Sequence, residues 1–256
     1  MMRARVLVIL VLAATTVAGC SLPFGDKTKT RVTLSVSGDA DHSTVETILR
    51  NRVTGAGMPK PGFAWTAEGL VMTVPGDRHE VDFAQLTAPG VLEFRKVVVR
   101  TPASQDCGKQ PKASPPGESM IACDADGVGY GLDVAKVVHS DVASATYQRD
   151  QTGQQTVLIK FTGSGQAKFT DLSREAVGNS GWPACAQDAL GGSGNCLVAI
   201  VLDNKVISAP EIISVLTGDA VISGSFTEAE AERLASVISA PQLPVDLTVA
   251  AVTVTQ

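Results

Sequence analysis

One segment, VAIVLDNKVISAPEI at 198–212, constrains the fold more than any other part of the chain. It opens with five apolar residues, Val198–Leu202, turns at Asp203–Asn204 and returns through Val206 and Ile207. Successive side chains of a strand point to opposite faces, so apolar residues on both faces predict an interior strand. Asp and Asn are favoured in tight hairpin turns, which makes a turn a better interpretation of Asp203–Asn204 than a cation site. The segment therefore predicts a hairpin inside a layered domain.

The first hundred residues predict strands and helices in the order β-α-β-β-α-β. The predicted elements are a strand at 31–36, a helix from Ser43, strands near 62–67 and 69–74, a helix near 79–88 and a strand at 91–99. Ser43 and Glu46 have the spacing of a capping box at the start of the first helix. This order is the ferredoxin-like pattern.

A loop or insertion rich in Pro, Ser, Lys and Gly is expected at 100–126, and regular structure is expected to resume after it. The later predictions are strands at 142–149 and 155–162, a helix at 164–178, a loop at 179–196, the hairpin, a strand at 219–224, a helix that ends at Pro241, and a strand at 243–254. Ser164 is the expected N-cap of the first of these helices, and Thr227 and Glu230 have capping-box spacing in the second. The whole pattern predicts an α+β fold.

The first twenty residues have the pattern of a secretion signal. Arg3 and Arg5 precede an apolar run at 6–17, which is shorter than the roughly 20 residues that cross a bilayer. The following Val17-Ala18-Gly19-Cys20 resembles the lipobox of bacterial lipoproteins. That resemblance implies lipidation of Cys20, a polar tether at 21–30, and a mature protein anchored on the extracytoplasmic face of a bacterial cell membrane. An ordinary signal peptide is the alternative.

Four cysteines remain after Cys20, namely Cys107, Cys123, Cys185 and Cys196. An exported chain meets an oxidising compartment, where disulfides are expected. Three connectivities are open, and we favour Cys107–Cys123 with Cys185–Cys196 because each pair closes a short loop. A zinc site is the alternative, but neither pair has Cys-x-x-Cys spacing and no His is near either pair in the sequence.

No enzyme signature is found. His42, His79 and His139 lie in separate segments and are expected on the surface or in loops. The segment 123–129 lacks the Glu that a calcium loop needs at its twelfth position, where Ala135 stands, and GGSG at 191–194 lacks the Lys-Ser/Thr of a phosphate loop. We therefore expect no cofactor and no metal. A formal net charge of −5 without a Lys/Arg cluster also disfavours binding to nucleic acid.

Seven stretches resemble the large first extracytoplasmic domain of SecD, a subunit of the protein translocase. They are ILRNRVTGAGMPKP (48–61), MTVPG (72–76), LEFRKV (92–97), IKFTGSGQAKFTDLSREAVG (159–178), AIVLDNKVISAPEI (199–212), GDAVISGSFTEAEAERLASVI (218–238) and LPVDL (243–247). The resemblance implies a ferredoxin-like base at 31–100 plus 241–256, completed by the C-terminal strand. It also implies an inserted α+β head at 101–240.

The resemblance implies a non-catalytic protein that binds polypeptide segments in or after protein export, with exported polypeptides or the Sec translocase as partners. It does not extend to the helical membrane bundle that carries the proton pathway of SecD, so proton coupling is not expected of this chain alone. The cysteine-bearing segments 101–126 and 179–196 imply a stiffened head. A structural or regulatory envelope lipoprotein that binds a membrane protein partner is the alternative function.

Overall fold

The computed structural model describes residues 28–103, 107 and 114–256. The strands in these ranges are β1 (Lys29–Ser37), β2 (Gly62–Thr66), β3 (Gly69–Pro75), β4 (Leu92–Thr101), β5 (Met120–Cys123), β6 (Gly129–Val138), β7 (Val142–Arg149), β8 (Gln155–Phe161), β9 (Val198–Leu202), β10 (Lys205–Ser208), β11 (Ala220–Ser223) and β12 (Asp246–Thr255). The helices are α1 (His42–Gly55), α2 (Phe83–Thr87), α3 (Gly163–Ala176) and α4 (Glu228–Ser239). None of these four helices has the length and apolar character needed to cross a membrane.

The base is an antiparallel sheet in the strand order β12-β1-β3-β2. Alternate residues of its two inner strands are buried and join the apolar stripe of α1 in one core: Val32, Leu34, Leu70, Met72, Val74, Val45, Ile48, Leu49 and Val53. The elements β1-α1-β2-β3 precede a long insertion, and α4-β12 follow it. Together they give the β-α-β-β-α-β order of a ferredoxin-like fold.

The strand predicted at 91–99 is not part of this base sheet. As β4 it pairs with β6 on one side and β9 on the other, and β12 provides the fourth base strand. The prediction of its sheet was wrong because pairing partners are decided by the fold of the insertion, which a local pattern cannot show. The helix predicted near 79–88 is the short α2.

The head consists of a closed barrel in the order β10-β5-β6-β4-β9, a three-stranded sheet in the order β11-β8-β7, and α3. Every residue of β9 is buried, which confirms the predicted interior strand. Asp203 and Asn204 form the predicted turn, with positive φ values of 50° and 66°. Phe94 of the barrel, Phe161 at the end of β8 and Phe169 of α3 have ring centroids 4.7 to 5.6 Å apart, so one aromatic cluster joins the three parts of the head.

Helix α4 lies where base and head meet. It packs against α1 and α2 of the base and against β7 and β8 of the head. Its predicted capping box is confirmed, because the Thr227 hydroxyl accepts from the Glu230 amide and the Glu230 carboxylate accepts from the Thr227 amide. The same helix therefore contributes to both cores.

The other two predicted caps are each two residues away from the observed ones. Asp41, not Ser43, caps α1, and its carboxylate accepts from the Thr44 amide at 2.8 Å. Thr162, not Ser164, caps α3 by accepting from the Gly165 amide at 3.1 Å. Asp41 is the stronger acceptor, because a carboxylate accepts several hydrogen bonds at once, and it also accepts one from the Ser43 hydroxyl.

Candidate functional site

The four paired cysteines form Cys107–Cys123 and Cys185–Cys196, with Cα–Cα distances of 5.7 and 6.0 Å. The first bond ties residue 107 to the end of β5, and the second closes the loop between α3 and β9. Within the described ranges, no group of three or more His, Cys, Asp or Glu side chains could hold a metal. The lipidation site predicted at Cys20 lies outside the described residues.

Two loops noted in the sequence are stabilised by carboxylates within the chain. In the segment 123–129, the Asp124 carboxylate accepts from the Val128 amide at 2.9 Å. The glycine-rich segment 191–194 wraps around Glu211, whose carboxylate accepts from the Ser193 and Asn195 amides at 3.0 Å each. Both loops thus use their backbone amides internally, as ordinary turns do.

An open groove of about 670 Å³ lies on the head, over β4, β5 and β6. Its lining is mainly apolar and consists of Val98, Val99, Met120, Ile121, Leu132, Gly131, Pro183, Ser114, Ser119 and Asp133. None of these is His, Cys, Lys or Arg. The groove therefore offers apolar contact area with few groups that could do acid-base or nucleophilic chemistry.

The shape of the groove follows from one glycine. Gly131 is opposite Ile121 on β5 and Val99 on β4, so the three residues form one row across the sheet. A Cβ at Gly131 would lie 2.5 Å from the Val99 Cγ1 atom, closer than atoms can approach. The glycine thus forms a floor, and Ile121, which is 68% exposed, and Val99 flank it as walls.

One rim of the groove is the loop that carries Trp182 and Pro183. Trp182 is 87% exposed, which is rare for so large an apolar side chain. The loop is fixed to β4, because the Ala186 amide donates to the Val98 carbonyl at 2.8 Å, and the Cys185–Cys196 bond holds its far side. An exposed tryptophan on a fixed loop beside an apolar groove is typical of a binding surface.

A second cluster lies where the chain passes between base and head. Arg52 of α1 is fully buried, and its guanidinium donates to the carbonyls of Leu86, Ala88, Pro89 and Pro241. These carbonyls come from both chain segments that connect the base with the head. Gly90 is required beside them, since a Cβ there would lie 2.3 Å from an Arg52 terminal nitrogen.

The hairpin turn of the head reaches the same cluster. The Asp203 carboxylate accepts from the amides of Gly90 at 2.8 Å and Val91 at 2.9 Å. Burial raises the pKa of Asp203, while those two amides and the charge of Arg52 oppose the rise. Burial also lowers the pKa of Arg52 to about 10, against the attraction of Asp203.

His139 is half-buried at this cluster, in the short turn that connects β6 with β7. Burial lowers the pKa of His139, and the positive charge of Arg52 acts in the same direction. The backbone of Ala240 and Gly90 opposes this change. The prediction of a surface or loop position is confirmed for His42 and His79, which are exposed.

Sequence reasoning missed both the groove and the cluster. A signal for Arg52 was present, because it continues the inward spacing of Ile48, Leu49 and Val53 on α1 and so had to be buried. No comparable signal marked the groove, since β5 and β6 had not been predicted.

Comparison with known proteins agrees with this architecture. Residues 124–245 match the family model described as SecDF, P1 head subdomain. The SecD subunit of Streptomyces coelicolor is 36% identical over 136 residues, which cover 50% of this chain and 22% of that protein. The SecDF subunit of Thermus thermophilus is 28% identical over 221 residues, which cover 82% of this chain and 27% of that protein.

Two solved structures have the same fold at 24% identity. A structure titled as a membrane component SecDF that enhances protein export aligns with a TM-score of 0.56 and covers 86% of this chain and 98% of that chain. The crystal structure of SecDF in a super-membrane-facing form aligns with a TM-score of 0.59 and covers 88% of this chain and 30% of that chain.

The fold belongs to the α+β class and consists of a ferredoxin-like base into which a head is inserted. The chain carries a SecD/SecDF-type translocase domain, and its head is similar to the SecDF P1 head subdomain. The chain spans about a quarter of the length of these two curated relatives, 22% and 27%.

Proposed function

We propose that this protein is an extracytoplasmic, lipid-anchored member of the protein export apparatus. In this proposal the head groove binds segments of exported polypeptide without catalysing a reaction. The proposal is supported by the SecD/SecDF-type domain, and the single observation that carries it is the open apolar groove beside the exposed Trp182.

The groove suits an extended polypeptide better than a compact small molecule. It is open to solvent, and it is bordered by Ile121 and the Trp182 loop, which a bound chain would cover. Full burial of one large apolar side chain contributes about 1.5–3 kcal/mol to binding. A few such contacts, reduced by the cost of ordering a flexible chain, give weak and reversible binding. Weak binding suits a protein that must release each segment.

A lipid anchor at Cys20 would hold the base close to the membrane. If Cys20 carries lipid, nine peptide units separate it from Lys29, the first residue of β1. A fully extended chain of that length reaches about 30 Å. The start of β1 would then lie close to the membrane surface, and the head would face the space into which polypeptides emerge.

Site-specific photocrosslinking in intact bacteria tests the groove. The full chain carries a photoreactive amino acid at Ile121 or, as the matched control, at Val221, which is 47% exposed on β11 outside the groove. We expect adducts with many exported polypeptides from position 121 and few from position 221. Equal yields from the two positions would contradict the proposal.

The identity of the adducts separates this function from the alternative. A broad set of exported chains supports polypeptide binding by the groove. A single stoichiometric membrane protein captured from position 121 supports the envelope role instead.

A further inference from the structure

The last strand of the base, β12, has a sequence that reads nearly the same in both directions. Residues 246–255 are DLTVAAVTVT. About the midpoint between Ala250 and Ala251, Val249 mirrors Val252, Thr248 mirrors Thr253, and Leu247 mirrors Val254. An antiparallel pair of identical strands places such mirrored residues opposite each other.

The structure preserves this symmetry on each face of the strand. Ala250 is an extra residue, because Leu34 is opposite Val249 while the preceding Thr33 is opposite Ala251. This bulge reverses the alternation at the midpoint of β12. The four aliphatic residues Leu247, Val249, Val252 and Val254 therefore share the face that carries the core residues of β1.

Within the described part of the chain, β12 is an edge strand that pairs with β1 alone. Protected edges usually carry Lys, Pro or inward-pointing charges, and the one charged residue of β12 is Asp246 at its start. Val252 and Val254 remain 38% and 39% exposed although they lie on the core side. Among the described residues this edge is thus unpaired, partly apolar and free of charge beyond Asp246.

We propose that β12 pairs antiparallel with β12 of a second copy of this chain, joining two base sheets into one of eight strands. The twofold axis passes between Ala250 and Ala251, a closed arrangement in which each copy presents the same surface. In this register Val252 is opposite the second copy's Val249, and Thr248 is opposite its Thr253. β-branched pairs and Thr–Thr pairs are both favourable across strands.

The register also brings opposite charges together at each end of the paired strands. Asp246 is opposite the second copy's Thr255, which is itself the neighbour of Lys29 on β1. The Cα atoms of Asp246 and of the second copy's Lys29 are then two strand spacings apart, about 10 Å. The long lysine side chain can bring its ammonium group closer to the carboxylate than that. A ten-residue edge is smaller than a standard interface, so we expect a reversible dimer.

Disulfide capture tests both the partner and the register. The full chain is produced in bacteria as the double variant Thr248→Cys/Thr253→Cys, as each single variant and unchanged, and the membranes are oxidised. The unchanged chain is the control for any crosslink that forms through Cys20. In the proposed register residue 248 of one copy faces residue 253 of the other, so the double variant forms a disulfide-linked dimer and neither single variant does.

A charge at the axis provides the second arm of the test. Ala251→Lys, added to the double variant, brings two lysines together near the axis, and we expect the crosslinked fraction to fall about tenfold from this like-charge contact. Ala64→Lys is the matched control, because Ala64 is an exposed residue of β2 at the opposite edge of the same sheet. Four outcomes would each overturn the proposal: no dimer from the double variant, equal dimer from a single variant, equal loss with Ala64→Lys, or adducts with another protein in place of a dimer.

Discussion

Replacement of Arg52 by methionine is expected to be the most destabilising single change on α1. The side chain is fully buried and donates to four carbonyls in the two segments that connect base and head. Methionine retains the apolar stem of the side chain and removes every donor. The carbonyl of Pro89 keeps a partner, because the Leu243 amide donates to it at 2.9 Å. Those of Leu86, Ala88 and Pro241 lose the arginine.

The magnitude follows from these three carbonyls, of which that of Leu86 is buried and those of Ala88 and Pro241 are partly buried. A buried acceptor left without a donor costs about 1–3 kcal/mol. Removal of the buried guanidinium also relieves its own desolvation, so we expect a net loss of about 3–5 kcal/mol, as for other buried charges that lose one partner. For a chain of this size each kcal/mol lowers the melting temperature by about 2–4 °C, which gives a decrease of roughly 6–20 °C.

Urea unfolding of the purified chain, followed by far-ultraviolet circular dichroism, measures the effect. The control is Arg50→Met on the same helix. Arg50 is 32% exposed, pairs with Glu46 at 3.7 Å and donates to the Pro61 carbonyl at 3.2 Å, so its replacement should cost about 1–2 kcal/mol. If Arg52→Met costs no more than Arg50→Met, the reasoning about the buried carbonyls is refuted.

Three further predictions concern other parts of the chain. The melting temperature should fall as the pH drops below about 6.5, the ordinary pKa of histidine, because His139 has a lowered pKa in the folded state and binds its proton only after unfolding; His139→Gln should reduce this fall. Replacement of Cys185 and Cys196 together by serine should cost about 3 kcal/mol in urea unfolding, since the bond closes a loop with a sequence separation of 11. Cys20→Ala should abolish labelling with radioactive palmitate and leave the uncleaved precursor.

Each of these predictions has a contradicting result. The same loss of stability at low pH in the His139→Gln variant would show that other groups cause it. Full stability of the unchanged chain after reduction would mean that the disulfide contributes nothing. A processed and still labelled Cys20→Ala product would refute the assignment of the anchor.

The elements that the sequence predicts correctly are those with one clear period. The alternating residues of β1 and the helical stripe of α4 each face a single core, so local pattern and final burial agree. Strand β5 was missed because it is only four residues long, and β6 was missed because Gly129 and Gly131 are residues typical of turns. A glycine is needed at position 131 because Val99 of β4 leaves no room for a side chain there. Val99 is distant in sequence, so no local pattern could show that contact.

Buried charges are a second feature that the sequence pattern does not show. Glu93 and Arg95 of β4 look like surface residues in the sequence, yet the structure buries them in an ion pair of 2.8 Å. Arg95 is satisfied by the carbonyls of Glu118 and Asp133, which come from segments that the sequence assigned to a loop or left unassigned. Such burial depends on partners supplied by the whole head, and a one-dimensional pattern does not contain them.

Strand β4 physically connects the two candidate sites, and this explains the role of the hairpin at 198–212. The residue before β4, Val91, is held by the Asp203 carboxylate at the turn of the hairpin. β9 of the hairpin then pairs with β4 from Leu92 to Lys96, and the next residues of β4, Val98 and Val99, form a wall of the groove. One hydrogen-bonded strand therefore connects the groove with the cluster around Arg52. Strand β9 of the hairpin is buried and belongs to the core of the head. The turn residue Asp203 holds the start of β4 at the point where that strand leaves the base.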